Sequence, residues 1–256
     1  MRMMMKLSRC FCLLGLTLLL CGTGCFSGKH SPSLSGEEDA DRNGPGIVRA
    51  SRGVLAPVYA PLAEQIVSDF DLSAKEGIGI DVGSGPGTLI VELCERTRLH
   101  WVNADINPSV FAPFYRLAEQ RGFADRVSAM FADAHALPFH DNYADIIVSR
   151  GSFHLWEDKV RAFGEIYRVL KPGAPAYIGR GFSENLPVET ARAIREKQRK
   201  RMKYDVDETA DELYDVMTVL GIKAFKIHRP QPPASEGVNY GIWVEFRKPK
   251  RAKDAK

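Results

Sequence analysis

Beyond its first 25 residues this sequence is nearly free of cysteine. Four of its five cysteines, Cys10, Cys12, Cys21 and Cys25, fall in that opening stretch, and only Cys94 follows. A single thiol excludes an internal disulfide framework from the rest of the chain, and no His/Cys grouping has the spacing of a metal site. Cys94 lies on an apolar helix face, the setting of a small core residue. The later chain also lacks an excess of either charge. The opening stretch holds Arg2, Lys6 and Arg9 and no acid, which leaves 32 basic against 32 acidic residues in the remainder. The formal charge of +3 therefore belongs to the leader, and no nucleic-acid partner is expected. The apolar run Cys10–Leu20 is too short for a comfortable membrane span.

That run has the order of a secretory signal: positive residues, an apolar stretch, then small residues. Gly22-Thr23-Gly24-Cys25 resembles a bacterial lipoprotein cleavage box, with Gly22 where leucine is usual. The expected organisation is a leader over 1–25, a polar linker over 26–46, one domain over 47–248 and a basic tail over 249–256. A chain of 256 residues is long enough for one domain with a good core. One basic cluster stands apart: Arg192–Lys203 contains seven Lys or Arg. It reads as a solvated helix face, or as a patch for an acidic substrate or lipid surface.

The most informative segment is Ile78–Ile90, IGIDVGSGPGTLI. Ile78, Ile80 and Val82 form a buried strand. Gly83, Ser84, Gly85, Pro86 and Gly87 make a turn, and Thr88 to Leu93 open an amphipathic helix. Glycines let the backbone pass close to a ligand, and the helix start presents free N–H groups to it. A dinucleotide fingerprint is G-x-G-x-x-G. Here the glycines run G-x-G-x-G, and Thr88 occupies the place of the third glycine. Asp81, two residues before the turn, suits a cationic amino group better than a pyrophosphate.

Four more strands follow at α/β spacing: Leu99–Ala104 ending in Asp105, Val127–Ala132, Ala144–Ser149 and Pro175–Gly179. Asp105 lies eighteen residues after Gly87, where an acidic side chain accepts ribose hydroxyls or caps a helix. A helix over Glu157–Leu170 carries Val160, Phe163, Ile166, Tyr167 and Leu170 on one stripe and stops at Lys171-Pro172-Gly173. A further helix, Thr209–Leu220, precedes two strand-like runs, Lys223–His228 and Tyr240–Phe246. Upstream, Leu55, Val58, Leu62, Ile66 and Phe70 have helical spacing, and Pro57 and Pro61 place the regular helix start near Pro61.

The glycine turn resembles motif I of the class I S-adenosylmethionine-dependent methyltransferases. FADAHALPF and EIYRVLKPGAPAYIG resemble segments of the group related to ubiquinone/menaquinone C-methyltransferases, with Ala174 where many members have glycine. The resemblance covers about Ile78–Gly181. It implies a Rossmann-like α/β fold: a doubly wound, seven-stranded sheet, mostly parallel with an antiparallel last strand. It also implies S-adenosyl-L-methionine as cofactor. Asp81, Gly83, Ser84, Gly85 and Gly87 would hold its methionine portion, Asp105 with Ile106 its ribose, and Asp133 with Ala134 its adenine. Ser149 is a further cofactor-side candidate.

Methyl transfer from a sulfonium needs positioning and exclusion of water more than a protein nucleophile. The absence of a Ser-His-Asp set or a metal cluster is therefore no objection. A small-molecule acceptor is expected beyond the carboxyl ends of strands four and five. Tyr59, Arg150, Ser152, Phe153, Trp156, Arg180 and Phe182 are candidates to face it. His154 is a candidate base for an oxygen or nitrogen acceptor, or a packing residue. The leader favours export or membrane association, with Cys25 as a lipidation site, whereas the cofactor is made in the cytosol. A start near Ile47 would remove that conflict. Two other functions stay open: a tethered cofactor-binding scaffold without turnover, and a nicotinamide oxidoreductase, which Asp81 and Thr88 disfavour.

Overall fold

A computed structural model describes residues 46–198 and 205–250. The expected leader with Cys25, nearly all of the linker, the distal half of the Arg192–Lys203 cluster and residues 251–256 lie outside the described residues.

Each strand of the sheet sends alternate residues to opposite faces, and this builds two cores. The strands are β1 (Ile78–Val82), β2 (His100–Asp105), β3 (Val127–Phe131), β4 (Ile146–Arg150), β5 (Pro175–Gly181), β6 (Phe225–His228) and β7 (Gly241–Arg247). One face presents Ile80, Val82, Val102, Ile147, Ala176, Ile178 and Val244. The other presents Trp101, Ile146, Val148, Tyr177 and Trp243. Helices cover both faces. On the first, α5 (Lys159–Val169) contributes Phe163 and Ile166, and α7 (Val206–Val219) contributes Leu213 and Met217. On the second lie α2 (Ala56–Asp69), α3 (Thr88–Arg96) and α4 (Phe111–Gln120), with Leu62, Ile66, Leu93 and Phe114. Two more helices, α1 (Gly46–Arg52) and α6 (Val188–Gln198), stand at the carboxyl end of the sheet.

The strand order is β3-β2-β1-β4-β5-β7-β6. All neighbours pair in parallel except β7, which runs antiparallel between β5 and β6. This is the expected seven-stranded topology, with the last strand inserted near the edge. Strand order reverses between β1 and β4, so a crevice opens there beyond the carboxyl ends, where such sheets bind ligands.

Helix α2 begins at Ala56 rather than near Pro61. Pro57 occupies the first turn, where a missing amide costs nothing, and Pro61 sits inside the helix. Burial of Val58, Tyr59, Leu62 and Ala63 holds the turn that the proline weakens. Helix α1 spans the expected boundary between linker and domain, 46/47. Asp158 caps α5 by accepting from the Arg161 amide at 2.9 Å. The same helix ends before Lys171-Pro172-Gly173, with Gly173 at φ 86°. Cys94 is buried, and burial pushes its thiol up to about 11, as befits a core residue.

Gly87 precedes α3 at φ 71°. A Cβ there would lie 2.0 Å from Phe114 Cδ2, so the third glycine of the turn is required by the packing of α4. The Gly87→Ala chain should lose about 2–4 kcal/mol of stability, from left-handed strain plus overpacking. Urea unfolding followed by circular dichroism measures this, and an unchanged midpoint would contradict the packing account.

Candidate active site

The crevice is a cavity of about 890 Å³, at the upper end of the roughly 300–1,000 Å³ of small-molecule sites. Its floor is the segment Asp81–Pro86. The turn is tied to β2 by three bonds. The Gly83 amide donates to the Ala104 carbonyl at 2.7 Å. The Gly85 amide donates to Asp105 Oδ2 at 2.7 Å, and Asn103 Nδ2 donates to the Gly85 carbonyl at 2.9 Å. Asp105 Oδ1 accepts from the Asn107 amide at 2.8 Å. Both carboxylate oxygens are thus oriented by the backbone, and each keeps a lone pair for a ligand hydroxyl.

Asp81 is buried at 2% exposure. Its Oδ2 accepts from Ser84 Oγ at 2.7 Å, while Oδ1 is buried without a hydrogen-bond partner. Burial pushes its carboxyl up to about 7, with Ser84 and Arg150 opposing and Asp105 adding to the rise. A dry carboxylate oxygen lining a cavity is what an incoming ammonium would satisfy. Gly85 also lines the cavity, at φ 58°. A Cβ there would meet only Ile47 Cγ1 of α1, at 3.6 Å across the cavity.

The loop after β3 forms the second wall. Asp133 Oδ1 accepts from the His135 amide at 2.9 Å and pairs with His135 Nδ1 at 2.7 Å. These bonds hold its carboxyl below the ordinary range. His135 Nε2 accepts from the Asp158 amide at 3.2 Å, which leaves the ring proton on Nδ1 for Asp133. Arg168 anchors the rest of the loop, donating to the Leu137 and Phe139 carbonyls and to Glu165. Ala134 and Ile106 both line the cavity.

Tyr59, Arg150, Ser152, His154, Trp156, Arg180 and Phe182 line the opposite half. The Arg150 guanidinium lies 5.0 Å above the Tyr59 ring. His154 Nδ1 is buried without a partner. Burial, then Arg180 and Lys159, push its imidazole down to about 4. His154 is therefore neutral at physiological pH and holds a transferred proton weakly, which lowers its value as a base.

Three expected site residues do not reach the cavity. Ser149 is fully buried, and its Oγ donates to the Val82 carbonyl at 2.7 Å, tying β4 to β1. Phe153 is fully buried in the core and not on the acceptor side. Gly87 faces Phe114. Ser152, which does line the cavity, also braces the turn. It donates to the Val82 carbonyl at 2.9 Å and occupies the space a Gly83 Cβ would need. Other lining residues carried no motif: Ile47 and Ala50 from α1, Val54, Leu55, Leu155, and Arg195, Lys197 and Asn239. A seven-residue helix has too few turns to show periodicity, and Arg195 and Lys197 were visible only as part of a charge cluster.

A doubly wound sheet with a glycine turn, an acid at the end of β2 and a cavity at the switch point defines a nucleoside-cofactor site. Residues 80–178 match the methyltransferase domain family. A demethylmenaquinone methyltransferase of Thermus thermophilus is 40% identical over 95 residues, 37% of this chain and 42% of that protein. A chloroplastic 2-methyl-6-phytyl-1,4-hydroquinone methyltransferase of Arabidopsis thaliana is 35% identical over 107 residues, 41% of this chain and 30% of that protein. The chain thus spans less than half the length of these curated relatives. A crystal structure from Methanococcus maripaludis, described as a putative S-adenosyl-L-methionine-dependent methyltransferase, superposes with a TM-score of 0.67. It is 30% identical, with 85% of this chain and 94% of that one covered. The chain belongs to the S-adenosylmethionine-dependent methyltransferases, and S-adenosylmethionine is the cofactor of that family. The nicotinamide alternative thereby loses its ground. Among the described residues no helix is long and apolar enough to cross a membrane.

Asp81 carries a stability cost. Its folded pKa of about 7 exceeds the ordinary 3.8, so the folded chain retains a proton that the unfolded chain releases. This group's contribution is complete below about pH 4 and is lost as pH rises to about 7, by an amount on the order of 4 kcal/mol. Asp81→Asn should flatten that fall and raise the urea midpoint of the ligand-free chain at about pH 8. A variant no more stable than the parent there would show that the carboxylate is not dry.

Proposed function

We propose that this chain transfers a methyl group from S-adenosylmethionine to a small-molecule acceptor. The observation that carries the reading is the unpartnered Asp81 Oδ1, buried beside the glycine turn at the floor of a cavity of about 890 Å³. An amino-acid ammonium completes that carboxylate. The next acid along the sheet edge, Asp105, is held by the Gly85 and Asn107 amides and suits a ribose diol. Asp133 and Ala134 suit the adenine edge, with His135 fixing the Asp133 carboxylate. When bound, S-adenosylmethionine supplies an electrophilic methyl group on a sulfonium.

The chain's own part is to orient the acceptor and keep water out. Tyr59, Trp156 and Leu155 line the half of the cavity beyond Asp81, and α1 covers it. Helix α1 is held by Ser51 Oγ against Thr88 Oγ1 at 2.5 Å and by Arg52 on the Pro113 carbonyl at 2.8 Å. Neutral His154 is suited to accepting or donating a hydrogen bond that orients an acceptor. A quinone-like acceptor is one member of this class, in keeping with the names of the curated relatives.

Calorimetric titration of the full-length chain with S-adenosylmethionine and S-adenosylhomocysteine tests the reading. Binding of both is expected, and the lack of either sinks it. Asp105→Ala should weaken binding by about 1–3 kcal/mol, the scale of hydrogen bonds to a charged group. Unchanged affinity in the folded variant would remove Asp105 from the site. The pH dependence is a separate check. Because Asp81 titrates near 7 in the free chain and the ionised form is the one an ammonium pairs with, affinity should fall as pH drops. The limit is about tenfold per unit below about pH 7, with a plateau above it. A flat profile between about pH 5.5 and 8 would detach Asp81 from the ammonium.

A further inference from the structure

Arg150 ends β4 and lines the cavity. A guanidinium carries its N–H donors in one plane. Among the described residues those of Arg150 meet no hydrogen-bond acceptor and no carboxylate, and its Nε is buried without a partner. The side chain rests instead on a ring: its guanidinium carbon lies 5.0 Å from the centroid of Tyr59, which is itself buried. Stacking holds a guanidinium by its face and leaves the in-plane donors open to a ligand. A buried donor without an acceptor costs free energy, so this side chain is set for a partner that the described chain does not supply.

Strand register places these donors beside Asp81. Asp81 pairs with Val148 of β4, and Arg150 lies two residues further along that strand. Pleating returns residues two apart to one face. Asp81, Val148 and Arg150 therefore share the side of the sheet on which Val148 and Tyr59 pack. Strand spacing and rise set the α-carbons of Asp81 and Arg150 about 8 Å apart. After Val82 the chain leaves β1 for the glycine turn, whereas β4 runs on to Arg150, which leaves Arg150 beyond Asp81 at the carboxyl edge. The two side chains do not bond, yet the Arg150 charge is one of the influences that oppose the rise in the Asp81 carboxyl. Arg180, by contrast, acts on His154.

The methyl donor ends in an amino acid, with an ammonium and a carboxylate on one carbon. With the ammonium on Asp81, the carboxylate lies beside a wall that already holds Asp81 and Asp105. Like charges in a half-dry cavity repel one another more strongly than in water. That carboxylate therefore needs a cation within reach of Asp81. Arg150 has the position, the open donors and a planar fork that matches a carboxylate.

We propose that Arg150 holds the carboxylate of the S-adenosylmethionine amino-acid group, so that β1 and β4 bind its two charges as a pair across the switch point. The proposal rests on the methyl-transfer reading and moves Arg150 from the acceptor's side of the cavity to the donor's.

The test is calorimetry on the full-length chain with two ligands: S-adenosylhomocysteine, and its decarboxylated analogue, in which an aminopropyl group replaces the amino acid and keeps the ammonium. The parent chain should bind S-adenosylhomocysteine at least about tenfold tighter than the analogue, the scale of a hydrogen bond to a charged group. Arg150→Gln should weaken S-adenosylhomocysteine by roughly ten- to a hundredfold and leave the analogue within about threefold, so that the preference collapses. Arg150→Lys keeps the charge and loses the fork. It should retain part of the preference, and it serves as the second variant if Arg150→Gln does not fold. A parent without the preference overturns the proposal before any variant is made. An undiminished preference in the folded variants also overturns it, since another group then holds the carboxylate. So does an equal loss of both ligands in Arg150→Gln, which would confine Arg150 to packing on Tyr59. A parent chain that binds neither ligand overturns the methyl-transfer reading itself, and the proposal with it. A parent that binds both ligands equally overturns the proposal alone.

Discussion

A carboxyl group removed from water and left with one oxygen unpartnered must either keep its proton or find a cation. Asp81 is in that position, and much of the surrounding structure serves to hold it there. The strand that carries it runs between β2 and β4, which cover both of its edges. Ser84 holds one of its oxygens. The turn containing Ser84 is fixed in turn by Asp105 and Asn103, which grip the amide and the carbonyl of Gly85. Loosening that grip would let the turn move and water reach Asp81. The dry carboxyl and the glycine turn are two parts of one device.

The three glycines divide their work accordingly. Gly83 leaves room for Ser152, whose hydroxyl donates to the Val82 carbonyl at the end of β1. Gly87 leaves room for Phe114 and so sets how closely α4 approaches α3. Gly83 and Gly85 both line the cavity, but only at Gly85 is there open space for a Cβ. A motif that reads as three approaches to a ligand is, in this chain, also needed at Gly83 and Gly87 for packing within the protein. All three have left-handed backbone, which adds strain to any replacement.

This explains which parts of the molecule were legible in the sequence. The sheet could be read because each strand alternates against two helical layers, and the β-formers of IGIDV and IIVSR sit between Pro/Gly/Asn punctuation. Asp81, Asp105 and Asp133 could be read because an acid at the end of an apolar strand stands out against its neighbours. Other features depend on contacts far apart in the chain. Ser149 and Phe153 follow the right strand for a ligand role, yet pleat direction and core packing turn both inward. Pro61 reads as a helix start, but tertiary burial of α2 outweighs the lost hydrogen bond. Helix α1 is too short for periodicity, and among its holding contacts are the side-chain bonds between Ser51 and Thr88 and from Arg52 to the Pro113 carbonyl. No local pattern announces either one.

The division of charge across the cavity follows from the same geometry. Acids at the ends of β1 and β2 line one half of the cavity, and they tolerate one another because burial lets Asp81 keep its proton up to about pH 7. The cations come from β4, β5 and α6, on the far side of the switch point, where no cavity-lining carboxylate among the described residues competes for them. An acid on that side would offset only the part of the His154 depression that Arg180 adds to burial. Moving a cation the other way would permanently satisfy the open oxygen of Asp81. The segregation therefore keeps the acids of the cavity apart from its cations along the line where the strand order reverses.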